Sequence, residues 1–104
     1  MILNFLDPAL ERLWHTRHIP DICREILFRY RSASNFPELY QVLDRLNETG
    51  LNGMKGREVE KTGSVYRVTI RCGFIRFRLA GRDVADVGFE TALTRDKIVR
   101  QLLR

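Results

Sequence analysis

The sequence predicts an α+β domain in which helices cover one face of a small antiparallel β-sheet. Three observations lead there. Apolar residues as far as Leu46 recur at helical spacing, from Ser64 the period drops to two, and positive charge is concentrated in the second half of the chain. With 104 residues, 44% of them hydrophobic and 30% charged, the chain suits a single domain over 1–104 with one core and no staples. The expected element order is β-α-α-(α)-β-β-β-α.

Ile2 to Leu6 is a short apolar stretch fit for an edge strand. Asp7 and Pro8 then start a helix, a carboxylate at the N-cap followed by proline in the first turn, with Leu10, Leu13 and Trp14 as its buried stripe to about His15. The chain breaks around Arg17 to Pro20. A second helix follows, where Ile19, Ile22, Cys23, Ile26, Leu27 and Tyr30 form the clearest amphipathic pattern of the sequence. After the SASN string, Phe36 and Pro37, a third short helical stripe comprises Leu39, Val42, Leu43 and Leu46 and ends before Gly50.

From Asn47 to Gly63 the chain is polar and holds Gly50, Gly53, Gly56 and Gly63, which predicts a long basic loop carrying Lys55, Arg57 and Lys61. Alternation then predicts a three-stranded meander over 64–71, 74–80 and 83–91, with turns at Cys72-Gly73 and at Ala80 to Asp83. In its third strand Ala85, Val87 and Phe89 are the expected inward residues. Thr94 caps a predicted last helix in which Ile98 and Leu102 pack inward.

Several classes are excluded by composition. No apolar run approaches the roughly 18 residues of a membrane span, and MILNFLDPAL lacks the basic start and small-residue cleavage site of a signal peptide, so a cytoplasmic protein is expected. Cys23 and Cys72 stand apart, without disulfide or metal spacing. His15 and His18 are spaced for one helix face, but no Cys, Asp or Glu completes a set with them, so neither a metal nor any other cofactor is expected.

Charge points to the partner. Residues 1–54 carry six arginines against seven acidic residues, whereas 55–104 carry twelve Lys/Arg against six. A basic second half at net +5 overall fits a polyanion. The alternation sharpens this: with Tyr66, Ile75 and Phe89 facing the helices, Arg67, Arg71, Arg76 and Arg78 project from the opposite sheet face, with Thr69, Phe74 and Glu90 among them. Guanidinium forks match phosphate geometry and stay charged, and Phe74 either adds a surface on which a base can stack or covers the sheet edge beside the turn.

The order strand, helices, basic MKG loop, VYRVTIR, CGFIRFRLAGRDVADVGFE and terminal TRDKIVRQLL resembles the RelE/ParE toxin superfamily over nearly the whole chain. FRL at 77–79 and the long early helices are closest to its HigB-like branch. The resemblance implies a toxin of a toxin-antitoxin pair: a metal-independent mRNA endoribonuclease that acts on the ribosome, inhibits translation and is blocked by a cognate antitoxin. It places catalytic positions on Arg67, Arg76, Arg95 and the loop base Lys61, and RNA contacts on Lys55, Arg57, Arg71, Arg78 and Phe74. Thr69 and Val99 stand where members often carry a basic and an aromatic residue. Because arginine holds its proton at any relevant pH it is no ordinary base, and proton transfer falls to Lys61, Glu90 or a histidine. Two other functions share these features, a gyrase-directed toxin acting through the helical half and a non-catalytic module whose arginine face only binds RNA.

Overall fold

The computed structural model describes residues 1–17, 30 and 33–91. Of the predicted second helix, Ile19 to Tyr30, only Tyr30 is among them, helical and buried in the core, and the predicted terminal helix from Thr94 lies outside them.

Helix α1 spans Pro8–Thr16 and starts as expected: Asp7 accepts a hydrogen bond from the Leu10 amide at 3.2 Å, and Pro8 occupies the first turn, where no amide is needed. It ends at Arg17, in left-handed geometry at φ 48°, whose N–H donates to the Leu13 carbonyl. Helix α2 is Phe36–Thr49, and the Gly50 N–H closes it on the Leu46 carbonyl. Its stripe of Phe36, Leu39, Val42, Leu43 and Leu46 is buried. Trp14 donates to Asp44 at 3.0 Å, and Arg17 pairs with the same carboxylate while its guanidinium lies over the Tyr40 ring, so one acid clasps α1 to α2. Burial pushes the Tyr40 phenol above its usual pKa, against the pull of Arg17.

The predicted loop over 47–63 is a correction. Asn47 belongs to α2, where its side chain accepts a hydrogen bond from the Ile2 amide at 3.0 Å. A 3₁₀ turn fills Gly50–Met54, and Val59–Thr62 forms a strand, β1. Strand β2 (Val65–Ile70) returns after only Gly63 and Ser64, with Thr62 opposite Val65. Gly63 has φ 62°, the positive value a tight two-residue hairpin needs, so this short polar strand is set by its turn and not by apolar alternation.

Strands β3 (Gly73–Ala80) and β4 (Asp83–Thr91) complete an antiparallel sheet in the order β1-β2-β3-β4. The N-terminal segment lies along the free edge of β4, where the apolar Ile2–Leu6 stretch predicted a strand, but it makes isolated bridges and no strand. It runs parallel, bridging Ile2 to Val84 and Phe5 to Val87. One core joins Leu10 and Leu13 of α1 and the α2 stripe to Val68, Ile75, Phe77, Val84 and Val87, so both described helices cover the same sheet face. Each fully buried aliphatic or aromatic side chain there contributes about 1.5 to 3 kcal/mol.

β4 departs from the expected alternation. Between the pairs Arg76–Gly88 and Arg78–Ala85, β3 has one residue and β4 has two, which is a bulge. Asp86 takes up the extra residue at φ 54°, a conformation that Asp tolerates better than most residues, and is held by a reciprocal pair of hydrogen bonds with Asn4 at 2.8 and 3.0 Å. Val84 therefore packs in the core in place of Ala85. Among the described residues no helix is long and apolar enough to cross a membrane.

Candidate functional site

The register places the polar face residue by residue. Arg67 of β2 sits directly opposite Arg76 of β3, Val65 opposite Arg78, Thr69 opposite Phe74, and Phe74 opposite Glu90 of β4. Arg67, Arg76 and Arg78 thus share one face, as the alternation required. Two arginines in direct register repel each other, and the sheet answers with Glu90. Its carboxylate accepts from Arg67 Nε at 2.9 Å and from Arg67 Nη2 at 3.5 Å, and it lies 3.9 Å from Arg76 Nη1. Glu90 and Arg67 belong to strands separated by β3, so the contact crosses over that strand. Gly88 stands opposite Arg76, and a Cβ built there would touch the Arg76 Cγ and Cδ at 3.4 and 3.6 Å, so the arginine stem packs flat against β4.

The two arginines differ in how well they are satisfied. Arg67 has a two-pronged contact with a carboxylate. The Arg76 side chain is only 26% exposed, makes no hydrogen bond among the described residues, and has a buried Nε without a partner. A mostly desolvated guanidinium with open donors is costly, because the lost water has not been replaced.

The remaining sequence candidates divide sharply. Phe74 is half-buried on the arginine face beside Thr69 and Glu90, and Arg78 is exposed at the far end of the row. Arg71 is not in the row: it lies in the β2–β3 turn beside the start of α2, and its amide donates to Glu38 at 2.6 Å. It lines an open cleft with Ser34, Asn35, Pro37, Glu38 and Gln41. Lys61 pairs in register with Tyr66, on the helix side of the sheet, and its ammonium lies 5.4 Å from that ring's centre. The sheet itself therefore separates Lys61 from Arg67 and Arg76. Arg57 turns toward α2, with Glu38 at 3.4 Å and Gln41 at 3.5 Å, while Lys55 is exposed beside the 3₁₀ turn. Arg95 lies outside the described residues.

Charge on the face is lower than a row of four arginines implied. Glu60 of β1 pairs in register with Arg67 and Asp83 of β4 with Ala80, so by register three arginines share the face with three carboxylates, Glu60, Asp83 and Glu90, among the described strand residues. Glu90 could be assigned to this face from alternation alone, but its place between two arginines depends on pairing across three strands. Among the described residues no group of three or more His, Cys, Asp or Glu is arranged to hold a metal ion. His15 is exposed and packs its ring 4.9 Å from that of Trp14. What the arginine face can do chemically is bind an oxyanion at Arg76, with Arg67 beside it and a flat ring two residues along the same strand. No family model matches the chain, and no curated protein matches it.

Proposed function

We propose that the chain is the toxin of a toxin-antitoxin pair of the RelE/ParE type, an mRNA endoribonuclease that acts on the ribosome in the cytoplasm. The observation that carries this reading is Arg76, whose guanidinium sits on a central strand, three-quarters buried and with no side-chain hydrogen bond among the described residues. A phosphate diester supplies the acceptors it lacks, in the geometry a guanidinium fork matches best. Order of elements supports the same reading: an N-terminal edge segment, helices on one sheet face and an antiparallel meander with the arginines on the other.

In this reading Arg76 binds the scissile phosphate and stabilises the charge that grows on it as the adjacent ribose 2′-hydroxyl attacks. Arg67 flanks the same phosphate, Phe74 stacks on the neighbouring base, and Arg78 holds the backbone beyond. Positioning is most of the work, since the nucleophile belongs to the RNA. The cognate antitoxin covers this face with an acidic segment, which meets Arg76 and Arg78 by charge complementarity.

Inducing the chain alone in cells and mapping the 5′ ends of mRNA tests the reading. New ends within translated regions, abolished by co-expression of a small protein encoded beside it, are the expected result. DNA damage without mRNA cleavage would replace it with the gyrase-directed reading, and neither effect would leave RNA binding alone.

A further inference from the structure

We propose that Glu90 is the general base of this site, taking the proton from the attacking 2′-hydroxyl. The inference rests on the endoribonuclease reading and assigns the proton-transfer group that reading needs. Arginine cannot do this work, because it holds its proton at any relevant pH. Of the other candidate bases, Lys61 is on the opposite side of the sheet, His15 lies on α1 against the Trp14 ring, and His18 lies outside the described residues. Among the described residues Glu90 is the carboxylate that meets both arginines, 2.9 Å from Arg67 and 3.9 Å from Arg76, and its side chain keeps 15% of its surface exposed.

The groups facing Glu90 give it this task. Arg67 on β2 and Arg76 on β3 lie on its carboxylate side, Phe74 is its cross-strand neighbour, and Glu60 on β1 lies beyond Arg67. A phosphate bound in the open donors of Arg76 would stand next to the Glu90 oxygens. The 2′-hydroxyl attached to the preceding ribose is then within reach of a carboxylate already fixed by Arg67. That side chain needs no rearrangement, and general bases must be in hydrogen-bond reach of the proton they remove.

The step balances without a metal or co-reactant. The O2′–P bond forms as the 2′-hydroxyl proton passes to Glu90, and the P–O5′ bond breaks with the electron pair leaving on O5′. O5′ takes a proton from water, and protonated Glu90 returns its own to solvent. The products are a 2′,3′-cyclic phosphate and a 5′-hydroxyl end.

A positioning role and a proton-transfer role for Glu90 give different kinetics. Glu90→Gln keeps an oxygen that accepts from Arg67 but removes the negative charge and the basicity. Single-turnover cleavage of end-labelled mRNA on ribosomes, across pH, is measured for wild type, Glu90→Gln and Arg67→Ala, with RNA affinity measured separately and folding checked by urea melts. Expected for Glu90→Gln is a 10²- to 10⁴-fold slower cleavage step, loss of the acid limb of the pH profile, and RNA affinity equal to or above wild type. If Glu90→Gln cleaves at the wild-type rate, or weakens binding and cleavage together as Arg67→Ala does, Glu90 is not the base and the endoribonuclease reading stands without it. Absence of cleavage by the wild type overturns both.

Discussion

The two faces of one sheet follow different rules. On the helix side Val68, Ile75, Phe77, Val84 and Val87 have no exposed surface, and what fixes them is removal from water, which needs no particular partner. On the other side a directional hydrogen bond at 2.9 Å joins Arg67 to Glu90 across β3, while Arg76 has only an ion pair with that carboxylate at 3.9 Å. Residues alternate between the faces along every strand, so the same backbone builds a dense core and an under-satisfied polar surface. Stabilisation from the core offsets the cost of Arg76, whose open donors are the ones that a ligand would meet in the proposed reading.

That contrast can be broken most severely from the core. Phe77→Ala removes a fully buried ring stacked 5.5 Å from Tyr66, and a loss of about 3 to 5 kcal/mol in urea unfolding is expected. A loss below that of the surface variants would mean that the helix side is not the packed one. On the polar face the largest stability effect belongs to Arg67→Ala, which strands Glu90 with a single distant cation. About 1.5 to 3 kcal/mol is expected in the same measurement, and no change would show that the Arg67–Glu90 contact does not form in solution.

Two smaller effects sharpen the comparison. Asn4→Ala deletes both hydrogen bonds that hold the N-terminal segment to the Asp86 bulge, and because the pair is exposed a cost of about 0.5 to 1.5 kcal/mol is expected. Faster hydrogen exchange at the Val87 amide, which donates to Asn4, should accompany it. Arg78→Ala should leave stability within about 0.5 kcal/mol of wild type, since its side chain is exposed. Its effect is on RNA: the slope of log affinity against log salt should fall by roughly one if Arg78 meets a phosphate. An unchanged slope removes it from the interface.

The same contrast explains what the sequence disclosed. Period-two alternation needs only burial, so the three meander strands and the common face of Arg67, Arg76 and Arg78 were legible from residue spacing. The Asp7-Pro8 start of α1 was equally plain, because capping is local. Strand β1 was missed because VEKT has one apolar residue, although the Gly63-Ser64 pair was a hairpin signal. Without that turn Lys61 reads as part of a long basic loop instead of lying on the helix side of the sheet. The bulge at Asp86 carries no pattern of its own, and it exchanged Ala85 for Val84 in the core. Arg71 was assigned by extending alternation one residue past β2, into a turn where it does not hold. The Arg67–Glu90 contact joins residues 23 apart in sequence on non-adjacent strands, which no local pattern encodes.

The most direct test sets a cation from each face against the other. Single-turnover cleavage of ribosome-bound mRNA is measured for wild type, Arg76→Ala, Arg76→Lys and Lys61→Ala. By analogy with loss of one transition-state donor, Arg76→Ala should slow cleavage by about 10² to 10³, with Arg76→Lys recovering only part because a point charge cannot reproduce a planar fork. Lys61→Ala, on the helix side, should cleave within a few-fold of wild type. Loss of cleavage in Lys61→Ala with full activity in Arg76→Ala would contradict the assignment of function to the arginine face.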